Sequence, residues 1–125
     1  MGIPILQQGD CLVVSIQSAL TDYELLDLRD RLGDLTGEHR ARGVIVDVTM
    51  VDVLDSFATR TLRSMAHMTR LRGARTVVVG IQPDVAFAMV QLGLGLEGVS
   101  TALDLDEGLA LLRPISRNPN RTTST

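Results

Sequence analysis

The sequence predicts a single α/β domain in which a mixed, mostly parallel sheet packs against helices. Three observations carry that prediction. Short apolar runs of strand character alternate with longer stretches of helical periodicity, the pattern of parallel strands joined by right-handed helical crossovers. Two apolar runs at the start are separated only by Gln8-Gly9-Asp10, a hairpin turn that adds an antiparallel pair. The chain has 125 residues, 45% of them hydrophobic and 22% charged, which suits one domain with a core of its own.

The elements follow in order. Ile3 to Gln7 and CLVVSI (Cys11 to Ile16) are the hairpin strands. Thr21-Asp22-Tyr23-Glu24 matches a capping box, with hydroxyl and carboxylate each satisfying an orphan amide at a helix start. Leu25, Leu28, Leu32 and Leu35 then give that helix one apolar face, and Gly43 punctuates its end. Val44 to Val48 is a buried-type strand, Ser56 to Arg72 a helix, and Thr76 to Gly80 another buried strand. A third helix opens at Pro83, where the missing amide costs nothing, and closes at Gly93 and Gly95. Val99 to Leu103 is a short strand, and Asp104 to Leu112 a last helix stopped by Pro114. The domain is thus expected over residues 1–113. Residues 114–125, PISRNPNRTTST, offer nothing to bury and are expected to be a disordered tail.

Composition narrows the function classes. Twelve basic residues against fifteen acidic ones give a net charge of −3, so no global field attracts nucleic acid. All twelve are arginine; with no lysine, Schiff-base, Walker-type and lysine-base chemistry is excluded. Cys11 is the only cysteine, which excludes an internal disulfide and a cysteine metal knuckle. No apolar run approaches the ~20 residues of a membrane span, and MGIPILQQGD is not built as a secretory signal. A cytoplasmic protein without membrane partner, metal or cofactor is expected, and not an enzyme.

The stretch that could carry chemistry is DVTMVDVLDSFATR, residues 47–60, which joins the central strand to the second helix. In open α/β sheets, ligands collect at the carboxyl ends of strands. Ser56 falls at the helix start there, with Asp47, Asp52 and Asp55 before it. On position alone Ser56 reads as the N-cap. The sharper reading makes it a phosphoryl acceptor, since helix amides and the dipole stabilise added negative charge at that place. Asp55 is an acid favoured near a helix start; with Asp52 it could also suggest a receiver-type acidic pocket, but the lysine such pockets use is missing. At about 100° per residue Ser56, Arg60, Arg63, His67 and Arg70 share one arc, while Thr61, Leu62, Met65 and Met68 face the sheet. Thr59, Arg60, Arg63 and His67 are the candidate partner surface, against the plainer reading of a solvated face. His39 and His67 read as surface residues, Cys11 as a small buried hydrophobe, and Met50, Met65, Met68 and Met89 as core filler.

The segment VIVDVTMVDVLDS resembles the signature of STAS domains, the fold of anti-sigma factor antagonists. Where that signature continues with a small residue and glycine, this chain has Phe57 and Ala58. DSFATR, with CLVVSIQSAL (11–20), GIQPDVAFAMVQLGLGLEG (80–98) and TALDLDEGLALL (101–112), resembles the RsbS-type stressosome antagonists over about residues 3–113. The resemblance implies a phosphosite at Ser56 with Asp55 as its motif neighbour. It implies assembly with RsbR-type STAS co-antagonists, sequestration of an RsbT-type switch kinase, and resetting by an RsbX-type phosphatase. A homodimer or higher assembly is expected. The alternative within the fold is an anti-anti-sigma factor that binds an anti-sigma kinase directly.

Overall fold

A computed structural model describes residues 2–113; the expected C-terminal tail lies outside the described residues. The chain runs β1 (Ile5–Gln8), β2 (Cys11–Ser15), α1 (Asp22–His39), β3 (Gly43–Asp47), α2 (Ser56–Leu71), β4 (Arg75–Val79), α3 (Pro83–Gln91), β5 (Ser100–Ala102) and α4 (Leu105–Leu112). The five strands form one sheet in the order β1-β2-β3-β4-β5. β1 and β2 are antiparallel, and every other neighbouring pair is parallel. The hairpin turns at Gly9, whose φ of 62° is a conformation that glycine adopts without strain.

Packing follows from the strand alternation. Val44, Val46 and Val48 project to one side of the sheet with Leu12, Val14 and Val78, where α1 and α2 supply Leu28, Leu32, Leu62 and Met65. Ile45, Val77 and Val79 project to the other side, where Leu105, Leu109 and Leu112 of α4 cover them. The central strand is therefore apolar at consecutive positions, because both of its faces are buried. Truncating Leu62, which is 1% exposed, to alanine should cost about 2–5 kcal/mol.

Two glycines permit close layers. Gly33 of α1 is buried, and a Cβ there would lie 2.9 Å from the Met68 sulfur of α2. Gly108 lets α4 settle on the sheet, since its Cβ would lie 2.7 Å from Val79 Cγ1. Of the expected methionine filler, Met65 and Met89 are buried and Met68 half-buried, but Met50 is 60% exposed. Met50 stands in the loop after β3, beyond the register that turns side chains inward, so the core expectation fails for it.

α1 begins as expected: Thr21 Oγ1 accepts from the Glu24 amide at 3.1 Å, and Glu24 Oε1 accepts from the Thr21 amide at 2.9 Å. At the carboxyl end of the sheet lie the loop 48–55, the start of α2 and the start of α3. That end holds the candidate site.

Candidate functional site

The loop between β3 and α2 is held from several directions. Asp47, the last residue of β3, accepts from the Thr49 amide at 2.9 Å and from Thr49 Oγ1 at 2.6 Å. Gln82, just before α3, donates from Nε2 to the Thr49 carbonyl at 2.8 Å. Gly80 lies directly under the Thr49 side chain with φ +80°, so a side chain there would meet both steric and backbone strain. Val51 is buried and its amide donates to the Val48 carbonyl at 2.9 Å. These contacts fix the route by which the chain reaches α2.

The residue that caps α2 differs from the expectation. Asp55, not Ser56, is the N-cap: its backbone is extended and its Oδ1 accepts from the Ala58 amide at 2.8 Å. Asp55 takes this place because a capping side chain must reach the third helical amide, and the helix begins at Ser56, one residue earlier than a serine cap would need. Ser56 is the first helical residue, exposed, and its hydroxyl makes no hydrogen bond among the described residues. The amides of Ser56 and Phe57 are also without partners there, since the cap engages only Ala58. An exposed hydroxyl thus sits beside two free amides and one carboxylate.

The expected partner surface on α2 is only partly present. Arg60 and His67 are exposed on the arc below Ser56. Thr59 is not on the surface: it is fully buried, and its Oγ1 donates to the Asp55 carbonyl at 2.9 Å. It lies on the flank of the helix turned toward the core, so it leaves the candidate surface. Arg63 is half-buried and clamps the segment before β5, donating from Nη1 to the Gly95 carbonyl at 3.1 Å and to Glu97 Oε1 at 2.8 Å. Glu97 is held below its ordinary range by a hydrogen bond from its own backbone amide and then by Arg63. Arg70 donates to the Gly98 carbonyl at 2.8 Å. The stripe is therefore two exposed positions, Arg60 and His67, interleaved with two structural clamps, Arg63 and Arg70.

Sequence reasoning missed an exposed apolar surface on α3. α3 buries only Val85 and Met89, leaving Phe87 64% and Val90 77% exposed, with Leu92 exposed just beyond. Met50 and Val53 in the loop add to the exposed apolar area at this end. A cleft of about 250 Å³ between the loop and α3 is lined by Val53, Leu54, Val85 and Leu92, with Asp52, Asp55 and Asp84 among its walls. The signal was in the sequence: PDVAFAMVQ is apolar around most of its circumference, more than one packed face can bury. Exposed apolar groups of this extent mark interaction surfaces.

Cys11 is buried as expected, and burial, followed by the charge of Asp10, pushes its thiol up. His39 and His67 are both exposed. No group of three or more His, Cys, Asp or Glu side chains converges on a metal-sized position among the described residues. None of their helices is long and apolar enough to cross a membrane.

The STAS domain profile matches residues 3–108. The chain belongs to the STAS-domain family. It is similar to the RsbT co-antagonist protein RsbRA of Bacillus subtilis (strain 168), 33% identical over 72 residues, or 58% of this chain and 26% of that protein. RsbRC of the same organism is 35% identical over 65 residues, or 52% of this chain and 23% of that protein. The chain thus spans about a quarter of the length of these two relatives. Among solved structures, RsbS of Moorella thermoacetica, in a serine-to-glutamate form, superposes with a TM-score of 0.75 at 33% identity, over 88% of this chain and 93% of that one. A chain of the stressosome, described as a signal integration and transduction hub, gives 0.72 at 33% identity over 87% and 95%. The anti-sigma factor antagonist SpoIIAA, at 11% identity and a TM-score of 0.68 over 91% of this chain and all of that one, shares the fold.

Proposed function

We propose that this chain is a non-catalytic, cytoplasmic partner-switching antagonist of the stressosome type, released from its kinase by phosphorylation of Ser56. The observation that carries the proposal is the placement of Ser56. It is an exposed hydroxyl, unengaged among the described residues, at the first position of α2 and at the end of the domain where Met50 and Val53 of the preceding loop are also exposed. The likeness to RsbS and to RsbR-type co-antagonists supports assembly with STAS paralogues of that kind. In this reading an RsbT-type switch kinase docks on that end of the domain, and an RsbX-type phosphatase later removes the phosphate.

The switch is electrostatic. The kinase transfers the γ-phosphoryl group of ATP to Ser56 Oγ, the hydroxyl proton leaves, and ADP departs. A phosphoserine adds about −1.5 to −2 charges at pH 7. The amides of Ser56 and Phe57 donate to no other group among the described residues, so they are free to donate to the phosphate and the fold stays intact. In the complex the same charge meets apolar surface and the Asp55 carboxylate. Lowering occupancy a hundredfold requires about 2.7 kcal/mol, and a desolvated, unpaired charge supplies about 3–5 kcal/mol.

The test is incubation with an RsbT-type kinase and ATP, followed by site mapping and a binding assay. Phosphate on Ser56 with loss of kinase binding supports the reading, with Ser56→Ala binding the kinase but taking up no phosphate. Phosphate at another residue, or unchanged kinase binding after phosphorylation, overturns it. Capture of an anti-sigma kinase, in place of a switch kinase with STAS paralogues, would assign the chain to the directly acting anti-anti-sigma factors.

A further inference from the structure

At the opposite end of α2, about 20 Å of helix away from Ser56, a second concave surface has no role in the switch. It is an open groove of about 640 Å³ at the amino ends of β3, β4 and β5, walled by Arg42, Arg70 and Arg75 and floored by Ala66 and Val99. No carboxylate lines it. Cations are favoured in the last turn of a helix, which accounts for Arg70. It does not account for Arg42, which precedes β3, or for Arg75, the first residue of β4.

The guanidinium groups of Arg70 and Arg75 are held in place by neutral acceptors. Arg75 donates from Nε and Nη2 to Ser100 Oγ at 3.0 and 2.8 Å, and from Nη1 to the Leu111 carbonyl at 3.5 Å. Arg70 is fixed by the Gly98 carbonyl. Arg42 approaches a carboxylate only loosely, with Nε 3.9 Å from Asp10 Oδ2. Neither Arg70 nor Arg75 has an ion-pair partner among the described residues. Ser100 Oγ accepts from Arg75, which leaves its own hydrogen free to donate. The Gly98 carbonyl is occupied by Arg70. The polar side chains at the groove mouth are therefore donors, and those of Arg70 and Arg75 are ordered without a carboxylate partner among the described residues.

We infer that this groove is a binding site for a phosphate-type oxyanion, held by Arg42, Arg70, Arg75 and the Ser100 hydroxyl. A wall of donors selects a ligand that only accepts, and guanidinium forks match the paired oxygens of phosphate. A lysine would offer a point charge, whereas these arginines offer fixed directions.

Pyrophosphate is the probe, added to the full chain at low ionic strength and followed by calorimetry and amide chemical shifts, with citrate in a parallel titration. Saturable binding is expected, with shifts concentrated at Arg70, Gly98, Arg75 and Ser100. Arg70→Gln and Arg42→Gln should each weaken it roughly tenfold, the loss of one charge-assisted hydrogen bond. Arg42 has the loosest protein contact of the three, so its variant tests the site without disturbing the fold. Arg29→Gln, on α1 and paired with Asp30, should leave binding unchanged. Absence of saturable binding, equal effects of all three variants, or shifts spread over every arginine would overturn the inference. Tighter binding of citrate than of pyrophosphate would overturn the phosphate preference. Ser56 takes no part, so Ser56→Ala should bind the probe as the wild type does, and failure here leaves the switch untouched.

Discussion

Replacing Asp55 with alanine separates the two possible caps of α2. The Asp55 carboxylate accepts from the Ala58 amide at 2.8 Å, whereas the Ser56 hydroxyl engages nothing among the described residues. Losing an aspartate N-cap costs about 1 kcal/mol, within a range of roughly 0.5–2. Removing a carboxylate from the positive end of the helix dipole adds about 0.3–1 kcal/mol. Asp55→Ala should therefore lose about 1–2 kcal/mol, and Asp55→Asn, which keeps an acceptor oxygen, under about 1. Ser56→Ala should stay within about 0.5 kcal/mol of the wild type, as a surface change that breaks no bond. Urea unfolding followed by circular dichroism reads the difference as a shift in midpoint at constant slope. In a thermal scan, each kcal/mol moves the midpoint by about 3–6 °C for a domain of this length. A costly Ser56→Ala beside a neutral Asp55→Ala would show that the serine is the structural cap, and the view of Ser56 as a free acceptor would fall.

Three more expectations rest on other contacts. Thr69 and Thr76 share a buried hydroxyl–hydroxyl hydrogen bond of 2.7 Å, and Thr69 Oγ1 also lies 3.1 Å from the Ala66 carbonyl. Thr69→Val alone should cost about 1–3 kcal/mol by stranding the Thr76 hydroxyl, while Thr69→Val with Thr76→Val recovers much of it; additive losses in a denaturant cycle would refute the pairing. Gly80→Ala should cost about 1–3 kcal/mol, because φ is +80° and the new Cβ meets Thr49; an unchanged melting temperature would contradict that geometry. Because Glu97 is held below its ordinary value of 4.5, the stability it lends is present above that value and is lost as pH falls through its lowered folded-state value. Melting curves of wild type and Glu97→Gln should differ at neutral pH and converge in acid, and a gap that widens in acid would reverse the sign.

Much of this was legible in the chain because it is encoded locally. The capping box at Thr21 and Glu24 needs only residues three apart, and it forms as read. Valine and isoleucine at consecutive positions of β3 announce burial on two faces, and Val44, Ile45 and Val46 are fully buried. The cap of α2 is ambiguous in the sequence, because an aspartate and a serine stand side by side and both cap well; the structure uses Asp55. The 100° wheel gives an angle but not the width of the buried arc, so it does not reveal that Thr59 is buried. The apolar excess of α3 was visible but invited a core reading, since a sequence does not say what remains to cover it.

Hydrophobic period and capping chemistry act within a few residues, so the chain alone sets the alternation of elements, the mixed sheet and the position of Ser56 at a helix start. What the arginines do depends on the packed fold. Arg63 reaches Gly95 and Glu97 more than thirty residues away, Arg70 reaches Gly98, and Arg42, Arg70 and Arg75 meet around one groove. Those partners are brought close by the parallel register of β3, β4 and β5. Each arginine is an ordinary surface residue until packing of the sheet and helices sets its neighbours.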